Sequence, residues 1–314
     1  MTERSLPAAA PGPEPPARTA STAAPPKDAA PAQPQTNPTR GRKARAAPAK
    51  AAASGGPVQF ASTPAKNGQR IVIYGPGGIG KSSLAASAPG PVAMFDLDES
   101  LSTLYSQFPE PVQDQLRIVS PPDAAWEWQA LRNSLHAPGW DDVKFIEVDS
   151  VTNAEELATR WVIKNVPHEK GNRIERIEDY GFGKGYTHIY ETFLNLLGDL
   201  DVHARAGRNI VLIAHDCTAN VPNPQGEDFI RYEPRLQAPA SGKNSIRLRL
   251  REWADHVLFV GYDIDVKKDG KATGSGTRTI YPVELPHCMA KSRTLSESMA
   301  FAKFDAGLWD LLDA

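Results

Sequence analysis

The sequence predicts an α/β fold, with a mostly parallel central sheet flanked by helices and a β-rich C-terminal part. Three observations predict it. Ile71-Val72-Ile73-Tyr74 is a short apolar, β-branched run of the kind that fits a buried parallel strand. It enters a glycine-rich turn and then the small, helix-compatible residues Ser83 to Ala88, so strand, loop and helix follow in order. Further apolar runs at Val92 to Phe95, Leu116 to Val119, Phe145 to Val148 and Asn209 to Ala214 are separated by stretches of helical periodicity, whereas His256 to Val283 reads as strand, turn and strand.

The turn, Gly75-Pro76-Gly77-Gly78-Ile79-Gly80-Lys81-Ser82, matches the pattern G-x-x-x-x-G-K-S/T. Gly75, Gly77, Gly78 and Gly80 carry no Cβ, so backbone N–H groups can close around the oxygens of a triphosphate. The helix that starts near Lys81 points its positive dipole end at the same place. Lys81 then reaches the β and γ phosphates, and the Ser82 hydroxyl takes a place on Mg²⁺, with Ser83 completing the nucleotide-binding run. A glycine-rich turn that binds nothing is the plain alternative; Lys-Ser in register behind a strand weighs against it.

Of the 314 residues, 1 to 70 hold 13 of the 28 prolines and Phe60 as their single aromatic. Such a stretch cannot bury enough apolar surface to offset its ordering entropy, so residues 1–66 are expected to form a disordered Pro/Ala-rich basic tail ahead of one ATP-binding domain over 67–314. Residues 1 to 70 carry 10 Lys or Arg against 3 Asp or Glu, and the remainder 25 against 34, so a near-neutral total hides a basic arm on an acidic body. The dense run Arg40-Gly41-Arg42-Lys43-Ala44-Arg45 suits non-specific contact with nucleic acid phosphates, or equally a solubilising linker. Proline at this density prevents the amphipathic helix of a transit peptide, and no apolar run approaches the ~18 residues of a membrane span. A soluble, cytoplasmic protein is expected. Cys217 and Cys288 have no metal-ligand spacing and suit a reducing compartment, and His215 beside Cys217 is too small a set for zinc.

Pro89-Gly90-Pro91 ends the first helix, and the second strand runs into Asp96-Leu97-Asp98-Glu99. Acids at a strand's C-terminal end stand on the edge where open α/β sheets bind ligands. Pro121-Pro122-Asp123 opens a helix with Trp128, Leu131 and Leu135 on its core face. Phe145-Ile146-Glu147-Val148-Asp149-Ser150 is an apolar strand ending in an acid, the Walker B arrangement, which would place Asp149 on Mg²⁺ opposite Ser82. Turn preference alone ends many strands in Asp; behind a phosphate loop the metal reading prevails. Thr152 and Glu155 have capping-box spacing for a helix with Ala154, Leu157, Ala158, Trp161 and Val162 on one face.

Pro167 to Gly185 reads as a mobile loop before a long amphipathic helix carrying Tyr186, Ile189, Tyr190, Phe193, Leu197 and Leu200. Gly207 stops that helix, and the next strand ends at His215, which is either a γ-phosphate sensor or a satisfied turn residue. Asp216 to Ser245, with Pro222, Pro224, Pro234 and Pro239, reads as one long functional or disordered loop. Arg231, Arg235, Lys243 and Asn244 make it a candidate surface for a phosphate backbone. In the β-rich part, Lys268-Asp269-Gly270 is the expected turn between two strands. Lys291 and Arg293 would point the same way on a strand, with solvated surface charge as the plain alternative. Leu308, Trp309, Leu311 and Leu312 form a short packing helix.

With these pieces in order, Arg70 to Ala314 resembles the RecA-like branch of P-loop ATPases, most closely phage-encoded ATP-binding proteins that group with short RecA-like recombinases and single-strand annealing proteins. The marks are Gly75 to Ser82, Val148-Asp149-Ser150, the run Tyr180-Gly181-Phe182-Gly183-Lys184-Gly185-Tyr186, Ile213-Ala214-His215 and Ala290-Lys291-Ser292-Arg293. The resemblance implies that Asp98 or Glu99 polarises the attacking water. The family acid is commonly Glu, so the choice between them stays open. It also implies a strand-end sensor at His215, DNA-contacting loops near Glu169 to Gly185 and Asp216 to Ser245, and Lys291 and Arg293 acting in a neighbour's site. ATP and Mg²⁺, single-stranded DNA, a ring or filament of identical copies, a single-stranded-DNA-binding protein partner and the host cytoplasm complete what it implies.

The leading expectation is an ATPase coupled to DNA in recombination or annealing. A non-hydrolysing ATP-dependent switch or assembly factor is the alternative, and a small-molecule kinase a third. Against the kinase, no second arginine-rich cluster for a phosphate acceptor is visible.

Overall fold

The computed structural model describes residues 63, 66–240, 242–266 and 272–313. The tail expected over 1–66, Thr63 and Lys66 apart, and the turn at Lys268-Asp269-Gly270 lie outside the described residues. In chain order the strands and helices are β1 (Arg70–Gly75), α1 (Lys81–Ala86), β2 (Val92–Asp96), α2 (Leu101–Leu104), α3 (Glu110–Gln115), β3 (Leu116–Val119), α4 (Trp128–His136), β4 (Phe145–Asp149) and α5 (Val151–Asn165). There follow α6 (Lys184–Arg205), β5 (Asn209–Val221), β6 (Phe229–Pro234), α7 (Ile246–Trp253), β7 (His256–Val266), β8 (Ala272–Tyr281), β9 (Met299–Ala300) and α8 (Gly307–Leu312).

The strands lie in the order β3-β2-β4-β5-β1-β7-β8-β9, with β6 added to β5. From β3 to β7 the neighbours are parallel, and β8, β9 and β6 are antiparallel additions. The expected α/β fold with a mostly parallel sheet and a β-rich C-terminal part is present. Register aligns the positions that matter: Gly75 stands beside His215, the last residue of β5 paired with β1, and Asp96 beside Asp149, so one edge of the parallel sheet collects the glycine loop, both acids and the histidine.

The pleat sends alternate side chains to two cores. Val72, Tyr74, Ile146 and Val148 pack with α4 to α7 on one face, while Ile71, Ile73 and Phe145 pack with α1 and α8 on the other. The buried strands read as continuous apolar runs because both faces are covered. By the same alternation Glu147 and Asp149 share Phe145's face, the one that carries α1.

Four local expectations are corrected. Asp216 to Ser245 is no structureless loop: β5 runs on to Val221 and pairs with β6 in register, from Asp216 opposite Pro234 to Val221 opposite Phe229. Prolines 222 and 224 lie between the two strands and Pro234 ends the second, so they bracket a ribbon whose half-exposed faces leave little apolar alternation to read. The helix after Asp149 is capped by Ser150, whose Oγ accepts from Asn153 N at 3.3 Å, and not by Thr152. Helix α4 starts at Trp128, downstream of Pro121-Pro122-Asp123. Pro167 to Gly185 is anchored rather than loose: Ile177–Tyr180 is a 3₁₀ turn, and the buried Tyr180 donates its hydroxyl to Val162 O at 3.0 Å and Val166 O at 2.6 Å.

Candidate nucleotide site

The site begins where β1 meets β7. A Cβ on Gly75 would lie 2.1 Å from Val260 O, so only glycine lets β1 end in this position against its neighbour. At the other end of the loop, Gly80 has φ +108° and starts α1 without a side-chain cap, leaving the loop amides to the loop's own cavity. That cavity, of about 220 Å³, is lined by Gly77, Gly78, Lys81, Ser82, Asp98, Asp149 and His215, with Gly80 and Ser83 contributing to its wall.

Lys81 is buried to 7% exposure, and its Nζ donates to Gly75 O at 2.7 Å and Pro76 O at 2.9 Å. Burial lowers its pKa more than Asp149, Asp216 and Asp98 raise it. Ser82 Oγ donates to Asp149 Oδ2 at 2.5 Å. Asp149 is pushed up to about 6, chiefly by burial, with the Ser82 hydroxyl working against the rise. A buried ammonium resting on neutral carbonyls and a buried carboxylate destabilised by desolvation are both matched by what ATP and Mg²⁺ bring: phosphate oxygens for Lys81, a dication for Asp149. A hydroxyl and a carboxylate are the hard oxygen donors that Mg²⁺ takes.

Across the cavity, Asp98 Oδ2 faces His215 Nε2 at 2.9 Å. Its Oδ1 accepts from Ser150 N at 3.0 Å, Ser150 Oγ at 2.7 Å and Asn153 Nδ2 at 2.8 Å. Burial works against the carboxylate, but the hydrogen bonds from His215 and Ser150 outweigh it and hold Asp98 below the ordinary aspartate range. His215 is fixed from behind, its backbone N–H donating to Thr152 Oγ1 at 3.1 Å.

The structure therefore brings together Gly75 to Ser83, Asp98, Asp149 and His215. Of the two acids left open, Asp98 lines the cavity, while Glu99 is exposed at φ +56° and outside it. Lys291 and Arg293 are placed elsewhere. Lys291 Nζ donates to Arg251 O, Glu252 O and Ala254 O at the end of α7, and Arg293 Nε pairs with Asp255 at 2.8 Å. Asp255 N bonds to Arg70 O at the start of β1, five residues of strand, or roughly 17 Å, from Gly75. Both cations serve the opposite edge of the sheet within their own chain.

The candidate phosphate-backbone surface also divides. Arg231 is buried and tied to Glu233 at 2.7 Å and Glu284 at 2.5 Å, and Asn244 Nδ2 donates to Thr187 at 2.9 Å. Arg235 and Lys243 are exposed, and Arg235 N donates to His215 O at 2.8 Å. Sequence reasoning missed Asn153 and the site roles of Ser150 and Thr152, noted only as part of a family mark and as a helix cap, which support Asp98 and His215; polar residues clustered after a strand-end acid were the available signal. It also missed Lys303 at the cavity wall and Arg278, whose Nη1 lies 3.2 Å from where a Gly80 Cβ would sit. Neither carries a local signal, because the C-terminal segment brings them there.

A phosphate-cradling loop at the C-terminal edge of a mostly parallel sheet, with a hydroxyl and a carboxylate beside it, defines a P-loop nucleotide-binding domain. A family model described as AAA domain matches residues 67–294, and the chain belongs to that family of ATPase-type domains. No curated protein matches the chain. Among the described residues no helix is long and apolar enough to cross a membrane.

Proposed function

We propose that the chain is a Mg²⁺-dependent ATPase of the RecA-like type that acts with single-stranded DNA in recombination or strand annealing, assembled from several copies and working beside a single-stranded-DNA-binding protein. The observation that carries the ATPase reading is the convergence of Lys81, the Ser82–Asp149 pair and the Asp98–His215 pair on one cavity.

Lys81 leaves the Gly75 and Pro76 carbonyls for the β and γ phosphates and offsets their charge. Ser82 and Asp149 hold Mg²⁺, which when bound neutralises charge that develops on the phosphates. Water attacks the γ phosphorus, the bond to the β-phosphate oxygen breaks, and the water's protons pass to the phosphate released. Asp98, held ionised and weakly basic, orients that water rather than deprotonating it early, which suits a loose phosphoryl-transfer transition state. Lys303, from the same chain, stands at the cavity wall as a supporting cation, whereas Lys291 and Arg293, tied to Ala254 O and Asp255, would serve only the site of a neighbouring copy.

Two features support DNA. Phe182 stands fully exposed between Gly181 and Gly183, beside Lys184, where a base can stack on it. Arg235, at the end of the β5–β6 ribbon, is bonded through its backbone to His215, so the ribbon reports on the nucleotide.

The low basicity of Asp98 also favours a second reading, a switch or assembly factor that binds ATP without turning it over. ATP hydrolysis by the purified chain, with and without single-stranded DNA, separates the two. Expected are turnover that DNA stimulates and a loss of about 10²-fold or more in Lys81→Ala. Tight ATP binding with no turnover selects the switch, and an unchanged rate in Lys81→Ala refutes the site.

A further inference from the structure

On the sheet face opposite α1, a cavity of about 490 Å³ opens between the start of α4 and the C-terminal half of α5. It shares no residue with the nucleotide cavity. Its floor is the buried Trp128 with Leu157, and two half-buried indoles, Trp126 and Trp161, form its sides. Trp126 is held by Phe95, with ring centroids 5.4 Å apart, so its ring is fixed before any ligand arrives.

Two cations, Arg160 and Lys164, stand at the rim one helical turn apart on α5. Like charges at this spacing repel, and among the described residues neither has an acid partner. Other exposed helical cations behave differently: Arg205 pairs with Asp201, Arg249 with Glu252 and Lys184 with Glu169. A single acid, Glu127, lies on the rim. Gln129 and Asn165 each commit their amide nitrogen to their own helix, at 2.9 Å and 2.8 Å, which leaves their carbonyl oxygens as acceptors.

One indole held in place, a second half-buried indole, two cations that make no ion pair among the described residues and amide oxygens are the chemistry that recognises a nucleotide unit: π-faces for the base, cations for the phosphate, acceptors for an exocyclic amine. We propose that this groove is a second nucleotide-binding site, which takes one unit of a single strand or a free nucleotide with its base against Trp126 or Trp161 and its phosphate on Arg160 and Lys164. In its strand form the site rests on the DNA reading above; in its free-nucleotide form it does not.

The test uses the full chain carrying Lys81→Ala, so that the phosphate loop does not compete, with and without the exposed double reversal Arg160→Glu/Lys164→Glu. The probes are a labelled dT20 oligonucleotide, which tests stacking and phosphate contact without an exocyclic amine and is read by anisotropy across a salt series, and dAMP, which brings the amine and is read by tryptophan quenching. For the strand form, dT20 affinity falls at least tenfold in the reversal variant and its salt slope becomes shallower by about 1.4, two phosphate contacts on a single strand. For the nucleotide form, dAMP quenching disappears in the reversal variant whether or not dT20 binds. Trp161→Leu should weaken whichever probe the reversal weakens, with the chain still folded by circular dichroism. If dT20 binds the two proteins equally and dAMP quenches both alike or neither, the groove is overturned and the DNA reading stands. If neither probe binds before the reversal, both are overturned.

Discussion

Asp98→Asn changes one oxygen for an amide nitrogen and leaves the shape of the side chain intact. Oδ1 of Asp98 accepts three hydrogen bonds from Ser150 and Asn153, so the asparagine must keep its oxygen there and turn its nitrogen toward His215. His215 Nε2 then has to accept instead of donate. Charge-assisted bonds contribute about 1.5–3 kcal/mol against roughly 0.5–1.5 for neutral ones, so losing the charge on a partly exposed site should cost on the order of 2–3 kcal/mol in total. The sign with pH follows from the lowered pKa. The stabilisation is present above the unfolded aspartate value of 3.8 and is lost as pH falls through the lower folded value, so the gap between wild type and variant closes in acid. Urea denaturation at pH 7 and in acid reads the stability term. Steady-state ATP turnover reads the catalytic one, with kcat expected to fall about 10²-fold at nearly unchanged KM, since Asp98 does not touch the loop that binds the phosphates. Wild-type turnover in Asp98→Asn would refute the water-positioning role, and an unchanged urea midpoint at pH 7 would refute the energetic reasoning.

Two further substitutions probe one half-buried and one buried carboxyl away from the phosphate loop's contacts. Glu155, pushed up to about 7 chiefly by burial, accepts from Gln237 N through both oxygens and so joins α5 to the segment after β6. Its folded pKa is raised, so the folded state binds the extra proton and stability falls as pH rises from about 4.5 to about 7. Glu155→Gln should flatten that slope, which is worth roughly 1–3 kcal/mol after allowance for partial exposure, and an identical pH profile for unfolding would contradict this account. Glu147 is fully buried in β4 with both carboxyl oxygens unpartnered among the described residues, and burial drives its pKa well above the ordinary range. Glu147→Met should therefore raise the unfolding free energy by about 1–3 kcal/mol in urea, and a less stable variant would mean the carboxyl has a partner that matters.

The strands of the parallel sheet were legible because each is a short apolar run buried on both faces, and the phosphate loop because its glycines and Lys-Ser must be consecutive to work. Asp149 was legible as a strand end and His215 as the close of an apolar run, although β5 itself continues to Val221. The β5–β6 ribbon was not, since a two-stranded ribbon with half-exposed faces shows no apolar periodicity and its prolines look like loop. Lys291 and Arg293 looked like a free cationic strand because their acceptors, the last carbonyls of α7 and Asp255, adjoin them only through the pairing of Lys291 with Val257.

From its sequence alone this protein was determined to be an α/β nucleotide-binding chain, because the loop that cradles phosphates is local: a single strand, turn and helix contain everything it requires. Only the tertiary structure decided which acid faces His215, that Ser150, Thr152 and Asn153 hold the pair in place, and that Lys303 rather than Lys291 or Arg293 lines the cavity. Those choices depend on which strand ends are neighbours. Neighbourhood across a sheet is set by packing two cores at once, which no segment encodes by itself.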